Sequence, residues 1–591
     1  VLLYDIETNG LLDVVSRVHC IAIYDTETET YEIYDPHSRP VELGVKRLVN
    51  AGDNTCGHNI IGYDELALEK VYPWYKRPQK SLDTLVAARL LNPTIKMGDF
   101  ARAKRGIMPG KLIGSHSLES YGYRMGEYKG DYGKATDWQT WNPEMSTYCK
   151  QDVKVTLELW KRLQNRPGWG TEALDIEHDF QRLIVKQMHH GVWFNELQAH
   201  DLVNKLQADL DVAAGEIREV CPPFWTRNGS VKSSTFTPKA DNKRYGYTQG
   251  GTMTKIKLVD FNPASNSHIY NFLIKKYGWK PAEFTDNSKE PKIDDEILAA
   301  LKEKYPECDP LARYKLIKKR LSQVIDGQKA WFNFLDDDGR IRGYVNSCGA
   351  ISNRCTHSNP NLAQVPANGA PYGVDCRKCF GVPPGKVLVG CDASGLELRL
   401  LAHFMNDQDY IDTVLNGDIH QKNADALGLT RSDGKTWFYG FIYGAGNKLL
   451  GKGDAKAGKK LRDKFLKNLP ALNDLTNKIK HQVETNGWIT GLAGQRLYSR
   501  SPHSALNLLL QSAGAYIMKK ACCLMLERLD WTRCAPALNV HDEVQMECDP
   551  DYAEECGQIC RQAIVDAGRY FKLNIPMDGE YKIGADWSET H

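Results

Sequence analysis

The chain has almost no net charge. Its 591 residues hold 76 Lys+Arg against 74 Asp+Glu, a formal net charge of +2. A bulk field therefore argues for no polyanionic partner, and any basic surface must be local. Long apolar runs are missing as well. None approaches the roughly 18 residues that a membrane-spanning helix needs, and the opening VLLYDIETNG lacks the basic, apolar, small-residue order of a signal peptide. Repeats and low-complexity tracts are absent, which excludes solenoids and arrays. The 16 cysteines form no framework. A single CxxC, Cys376 to Cys379, has no second CxxC and no nearby His pair to complete a zinc set. Cys556 and Cys560 are expected simply to pack on a helix, and unpatterned cysteine reads as reduced and cytosolic. What is present is ordinary globular material, 42% hydrophobic and 25% charged, so disorder, collagen and a coiled-coil rod are excluded. The length allows about four domains.

Residues 1 to about 165 alternate strand-like and helix-like stretches, an α/β pattern closed by the breaker Asn165-Arg166-Pro167-Gly168. From about 175 to 220 apolar residues recur at threes and fours, predicting long helices. Residues 221–257 differ, with Pro, Gly, Ser, Thr and Asn around seven basic residues (Arg227, Lys232, Lys239, Lys243, Arg244, Lys255, Lys257) and one acid, Asp241. Helical character with a basic face returns near 294–334, and the remainder mixes strands and helices.

Two constellations carry chemistry. In the first, Asp5 and Glu7 stand two apart in a strand pattern and so share a face. Tyr148 and Asp152 stand four apart on a helix and share another. Asp64 follows a predicted turn in CGHNIIGYDE. Carboxylates gathered into one site repel unless cations neutralise them, and two divalent metals would clamp the attacking and leaving oxygens of a phosphodiester. Each pair alone is ordinary surface; their order and company make the signal. Asp83 in SLDTL reads first as a helix N-cap.

In the second, VLVGCDASG runs as a buried strand to Asp392, and ALNVHDEVQMEC alternates about His541-Asp542, a hairpin with the acid at its tip. Two such acids suit hard cations. Between them Arg431, Lys435, Tyr439 and Tyr443 are spaced by four and line one helical stripe, cations first and aromatics after, in the order of a nucleotide's phosphates, sugar and base.

DIET, the Asn59-to-Asp64 segment and the Tyr148-to-Asp152 segment resemble the three motifs of DEDDy 3′–5′ exonucleases. CDASGLELRLLAHFM, KTWFYGFIYGAG, RSPHSALNLLLQSAGA and NPNLAQVP resemble family A DNA polymerases, in particular the thioredoxin-borrowing replicative polymerases of short-tailed coliphages. The resemblance implies a multidomain α/β and α+β chain: an RNase H-like exonuclease domain at 1–165, a helical thumb at 175–345 with a basic inserted loop at 221–257, a palm built on an antiparallel sheet at 346–408 and 491–591, and helical fingers at 409–490. It implies Asp5, Glu7, Asp64 and Asp152 as exonuclease metal ligands, with Tyr148 orienting water. Asp392, Asp542 and the Ala393 carbonyl would bind two Mg2+ (or Mn2+), with Glu543 as polar support. Arg431, Lys435 and His420 would meet the triphosphate, Tyr439 the deoxyribose and Tyr443 the nascent base pair. Glu397 would exclude a ribose 2′-OH. Arg354, Gln364, Asn507, Gln511 and His541 would contact primer–template DNA, mainly in the minor groove, whose degenerate pattern suits checking of geometry.

The same resemblance extends to partners and substrates. Tyr439 should permit dideoxynucleotides, because its hydroxyl replaces the missing 3′-OH partner. Residues 221–257 fall where relatives insert a larger loop that binds thioredoxin; the segment reads as a basic DNA-holding loop or as a shortened dock for a thioredoxin-like factor. His591 matches a terminal region near the nucleotide in relatives. A replicative helicase–primase is an implied partner, and the cytoplasm of a phage-infected bacterium the implied location. A single-subunit RNA polymerase is the nearest rival, opposed by Glu397 and the proofreading motifs; a decayed DNA-binding scaffold is opposed by the intact acids.

Overall fold

The computed structural model describes residues 1–128, 132–134, 136–281, 283–285, 290–499 and 501–591. It divides into two compact units: Val1–Phe194 with Asp336–His591, and Asn195–Leu335.

In the larger unit, the N-terminal segment builds a five-stranded sheet ordered Thr30–Tyr34, Val18–Asp25, Leu2–Thr8, Thr55–Gly57, Leu82–Asp83. The first three strands pair antiparallel and the last two join in parallel. Alternation along Leu2–Thr8 gives it two faces. Leu2, Tyr4 and Ile6 pack with Val45 and Leu48 of the helix Val41–Ala51. Leu3 points the other way, into a cluster with Met145, Cys149 and Val153 of the helix Pro143–Gln164. Asp5 and Glu7 share the side of Leu3, so the strand's period sets both acids under the helix that carries Tyr148 and Asp152.

The helical stretch expected from 175 is divided. The helix Glu172–His190 belongs to the larger unit, a short strand Val192–Phe194 follows, and the helix Glu196–Val220 belongs to the smaller one. A second sheet, fully antiparallel, is ordered Cys534–Val540, Glu543–Cys548, Val387–Ala393, Gly579–Gly584. The helices Ala505–Arg528 and Ala553–Tyr570 pack with it through a large shared core. Ala505–Arg528 is apolar nearly all round, as a helix buried on every side must be. In sequence, between the strands Val387–Ala393 and Cys534–Val540 of this sheet, run the helices Leu396–Met405, Gln408–Asn416, Ile419–Leu427, Arg431–Ile442, Ala455–Asn468 and Pro470–Asn486.

In the smaller unit, the helices Glu196–Val220 and Cys308–Leu321 pack along each other, and Ile217, Ile269, Leu273, Leu298 and Leu311 form its core. Residues 221–257 contribute short paired strands, Phe224–Arg227 with Ile256–Val259 and Thr235–Phe236 with Met253–Thr254. All seven basic side chains of this segment are exposed. No described helix is long and apolar enough to cross a membrane.

Candidate functional site

The centre of the second sheet is acidic. Val387–Ala393 is flanked on both sides, which places Asp392 opposite Glu543 on one neighbour and Glu580 on the other. The turn joining Cys534–Val540 to Glu543–Cys548 puts His541 in the left-handed region, at φ 59°. Asp542 follows, and its carbonyl accepts from the Ala393 amide at 3.1 Å. The two aspartates expected to act together are thus joined through their backbones. Burial, then the Asp542 and Glu543 charges, push the Asp392 carboxyl up to about 7. Burial, then Glu397, also raises Asp542. Burial and like charge disfavour the ionised form of these carboxyls, and bound cations would restore it; an all-oxygen donor set suits Mg2+ or Mn2+.

Glu543 is held differently. Its carboxylate accepts from Trp587 Nε1 at 2.5 Å, from His591 Nδ1 at 2.9 Å and from Gln545. Burial would raise this carboxyl, but the His591 and Gln545 hydrogen bonds hold it below the usual glutamate range. The same bond to Glu543 raises His591. His591 is therefore fastened beside the acids. Trp587 had no motif to announce it.

The helix Arg431–Ile442 begins at Thr430, whose hydroxyl accepts from the Asp433 amide. Trp437, Phe438 and Phe441 are buried against Phe465. That burial turns the four-spaced stripe outward. Tyr439 and Tyr443 stack at 6.0 Å, with Tyr443 one residue past the helix end, and His420 lies 5.9 Å from the Tyr439 ring. Arg431 Nε donates to Asp418 at 2.6 Å. Tyr443 feels the charges of Glu397 and Asp542, so this end of the stripe lies near Asp542. Glu397, in the first turn of Leu396–Met405, accepts from Arg354 at 3.2 Å. Arg354 and His541 line a common cleft. Asn507 donates to the Tyr443 carbonyl at 3.3 Å, and Gln511 lies one turn further along that helix. Gln364 ends the short turn Leu362–Gln364, which follows the strand Thr356–Ser358.

In the N-terminal sheet, Asp5, Glu7 and Cys149 offer ligand atoms within 4.8 Å of one another. Cys149 is itself anchored, its thiol donating to the Asp5 carbonyl at 3.3 Å. Asp64 opens the helix Asp64–Val71 and is buried; burial, then Asp5, then Asp83, raise its carboxyl well above the usual range. Asp152 is buried on Pro143–Gln164, and Tyr148 stands one turn before it, its ring 5.4 Å from Tyr132. Asp83 caps the helix Thr84–Leu91 as its spacing suggests, and also accepts from the Asn59 and Ile61 amides at 2.8 and 3.1 Å, bracing the turn before Asp64.

A third group, the buried thiols of Cys534, Cys548 and Cys556, also converges within 4.8 Å. Cys534 and Cys548 donate to the Asp530 and Met546 carbonyls at 3.4 and 3.8 Å, the behaviour of protonated core thiols. Cys376 and Cys379 are buried, and the Cys379 thiol donates to the Asp375 carbonyl.

Residues 233–589 match the family described as "DNA polymerase family A". The DNA-directed DNA polymerase of Enterobacteria phage T3 is 33% identical over 100% of both chains, and that of Escherichia phage T7 is 33% identical over 99% of both. The T3 alignment runs over 705 positions against 591 residues here, so that relative carries segments this chain lacks. A solved structure, the POL domain of Pol1 from M. smegmatis in complex with DNA primer-template and dNTP, shares the fold at a TM-score of 0.74. It covers 99% of this chain and 96% of its own, at 18% identity.

Proposed function

The chain belongs to DNA polymerase family A, and from that premise we propose that it extends a primer 3′-OH with dNTPs on a DNA template at Asp392 and Asp542, and removes mispaired ends at Asp5, Glu7, Asp64 and Asp152. The observation that carries the polymerase reading is the pair of half-buried aspartates, joined through Ala393, with the Tyr439–Tyr443 stack near Asp542. Two Mg2+ ions (or Mn2+), held by Asp392, Asp542 and the Ala393 carbonyl, would lower the pKa of the 3′-OH and neutralise the departing pyrophosphate.

The protein's own part is positioning. Arg431 and Lys435 bind the triphosphate as fixed cations, and His420 adds a donor beside them. Tyr439 packs on the deoxyribose and Tyr443 covers the new base pair. Glu397 occupies the space that a ribose 2′-OH would need. Arg354, Gln364, Asn507, Gln511 and His541 bind the primer–template. Closure of the Arg431–Ile442 helix checks pair shape before chemistry. Tyr148 orients the hydrolytic water at the second site. The domain reading is an RNase H-like exonuclease at 1–165, thumb at 175–345, palm at 346–408 and 491–591, and fingers at 409–490. The exposed +6 segment at 221–257 holds DNA by phosphate attraction. In the competing reading that segment is instead a shortened dock for a thioredoxin-like factor; a helicase–primase partner and the cytoplasm of a phage-infected bacterium complete the proposal.

The test is a primer assay with separated activities. Asp542→Asn should abolish extension and leave 3′-end removal intact, while Asp5→Ala with Glu7→Ala should do the reverse. A doubly substituted Asp5/Glu7 chain that still degrades primer overturns the exonuclease half, and an extending Asp542→Asn chain overturns the other.

A further inference from the structure

Close to the proposed nucleotide site lies a buried ion pair with no place in the chemistry described so far. Glu177, on Glu172–His190, is fully buried, and Lys519, on Ala505–Arg528, is 2% exposed. Lys519 Nζ donates to Glu177 Oε1 at 2.5 Å, and the Tyr516 hydroxyl donates to the same oxygen at 2.9 Å. A pair so far from water is costly to desolvate, and apolar residues of the same volume would serve packing as well or better. Packing alone therefore gives no reason for it.

The second hydrogen bond of Lys519 supplies a reason. Its Nζ also donates to the Asn353 carbonyl at 2.7 Å. Asn353 is buried in the left-handed region at φ 59°, and both ends of its side chain are held: its Oδ1 accepts from Ser512 at 3.2 Å, and its Nδ2 donates to Cys348 Sγ at 3.3 Å. A non-glycine residue keeps such a conformation only where its surroundings over-determine it. The next residue is Arg354, which reaches Glu397 at 3.2 Å. An unbroken path thus runs from Glu177 through Lys519, Asn353 and Arg354 to the carboxylate read above as the sugar discriminator.

We propose that Glu177 and Lys519 are positioning residues for sugar selectivity: together they fix the Asn353 backbone, so that Arg354 restrains the Glu397 carboxylate where a ribose 2′-OH would sit. The assignment rests on the proposed role of Glu397. Without the Glu177 charge, Lys519 is a cation in an apolar site with no counter-ion, and it loses its hold on the Asn353 carbonyl. The Asn353–Arg354 turn relaxes, Glu397 gains freedom to swing aside, and ribonucleotides enter more readily.

The experiment measures kcat/KM for a dNTP and its matching rNTP on one primer–template. Glu177→Gln and Lys519→Met should each lower the dNTP/rNTP ratio about tenfold, the change expected from one charge-assisted hydrogen bond. Arg354→Ala should lower it too, and Glu177→Gln should add nothing further in that background. Leu183→Ala, buried on the same helix as Glu177, should lower the melting temperature and leave the ratio unchanged. The double variant Glu177→Met with Lys519→Met keeps volume without a buried charge, so it reports the ratio even if a single variant fails to fold. A ratio within twofold of wild type in that double variant overturns the proposal. So does an equal loss of selectivity in Leu183→Ala, or additive losses with Arg354→Ala. If the wild-type chain extends primers but Glu397→Ala leaves the ratio unchanged, the reading of Glu397 has failed instead.

Discussion

Glu547 lies at the far end of the strand Glu543–Cys548 from the aspartate turn, and it is 5% exposed. Arg340 grips its two carboxylate oxygens at 2.9 Å each, and His190 Nε2 lies 3.4 Å away. Burial would raise this carboxyl, but hydrogen bonds from His190 and Arg340 bring it down from 4.5 to about 2. A folded value below the unfolded one means the contribution is full above about pH 4.5 and fades as pH falls toward 2. At about 1.4 kcal/mol per pH unit, the gap corresponds to about 3 kcal/mol. Glu547→Gln keeps the shape but leaves Arg340 half-buried without its counter-charge, so the cost at pH 7 should be of that size. A chain of several domains need not unfold in one step, so the assay should be local: amide hydrogen exchange of the segment 543–548. Exchange limited by opening changes tenfold per 1.4 kcal/mol, which predicts about hundredfold faster exchange in the variant at pH 7. The difference should persist at pH 5 and shrink below pH 4.5. A difference under about fivefold at pH 7, or one that widens in acid, refutes the reasoning.

Three further outcomes are expected. Tyr439→Phe should reduce dideoxynucleotide incorporation relative to dNTPs by about tenfold or more, the worth of one hydrogen bond to the sugar pocket; unchanged dideoxy use in single-turnover assays would remove the hydroxyl from the account. Neutralising Lys232, Lys243, Arg244 and Lys255 to Gln should weaken primer–template binding at low salt and flatten the dependence of log K on log salt by about 0.9 for each phosphate no longer neutralised; an unaltered slope would mean the segment does not touch DNA. In single-encounter extension on a long template with a DNA trap, bacterial thioredoxin should lengthen products only if residues 221–257 form a shortened dock, and that gain should vanish on deletion of the segment.

Much of the candidate site was legible because secondary structure has short periods. Two-residue spacing put Asp5 and Glu7 on one side of Leu2–Thr8, and four-residue spacing put Tyr148 with Asp152 and aligned Arg431 through Tyr443. The apolar run ending at Asp392 and the alternation about Asp542 gave strand ends, which is where the sheet places these acids. Periodicity says which residues share a face; it does not say which faces meet. Asp83 shows the limit locally, since a helix cap is readable from its neighbours and the two amides it takes from the Asn59–Ile61 turn are not.

The limit is sharper at long range. Glu177 and Lys519 are separated by 342 positions, and neither stands in a spaced motif. A lone glutamate on an amphipathic helix reads as solvent-facing, since carboxylates are almost never fully buried unless paired. Trp587 and Thr590 were likewise silent until the C-terminal segment folded back, where they meet Glu543 and Gln545. Charge follows the same logic. The total of +2 argued nothing about DNA, whereas the exposed basic side chains of 221–257 concentrate +6 on a stretch with one acid. Salt screens exposed charges over roughly 8 Å at physiological ionic strength, so a phosphate lying on that stretch responds to its local cluster of cations far more than to the total charge of the chain.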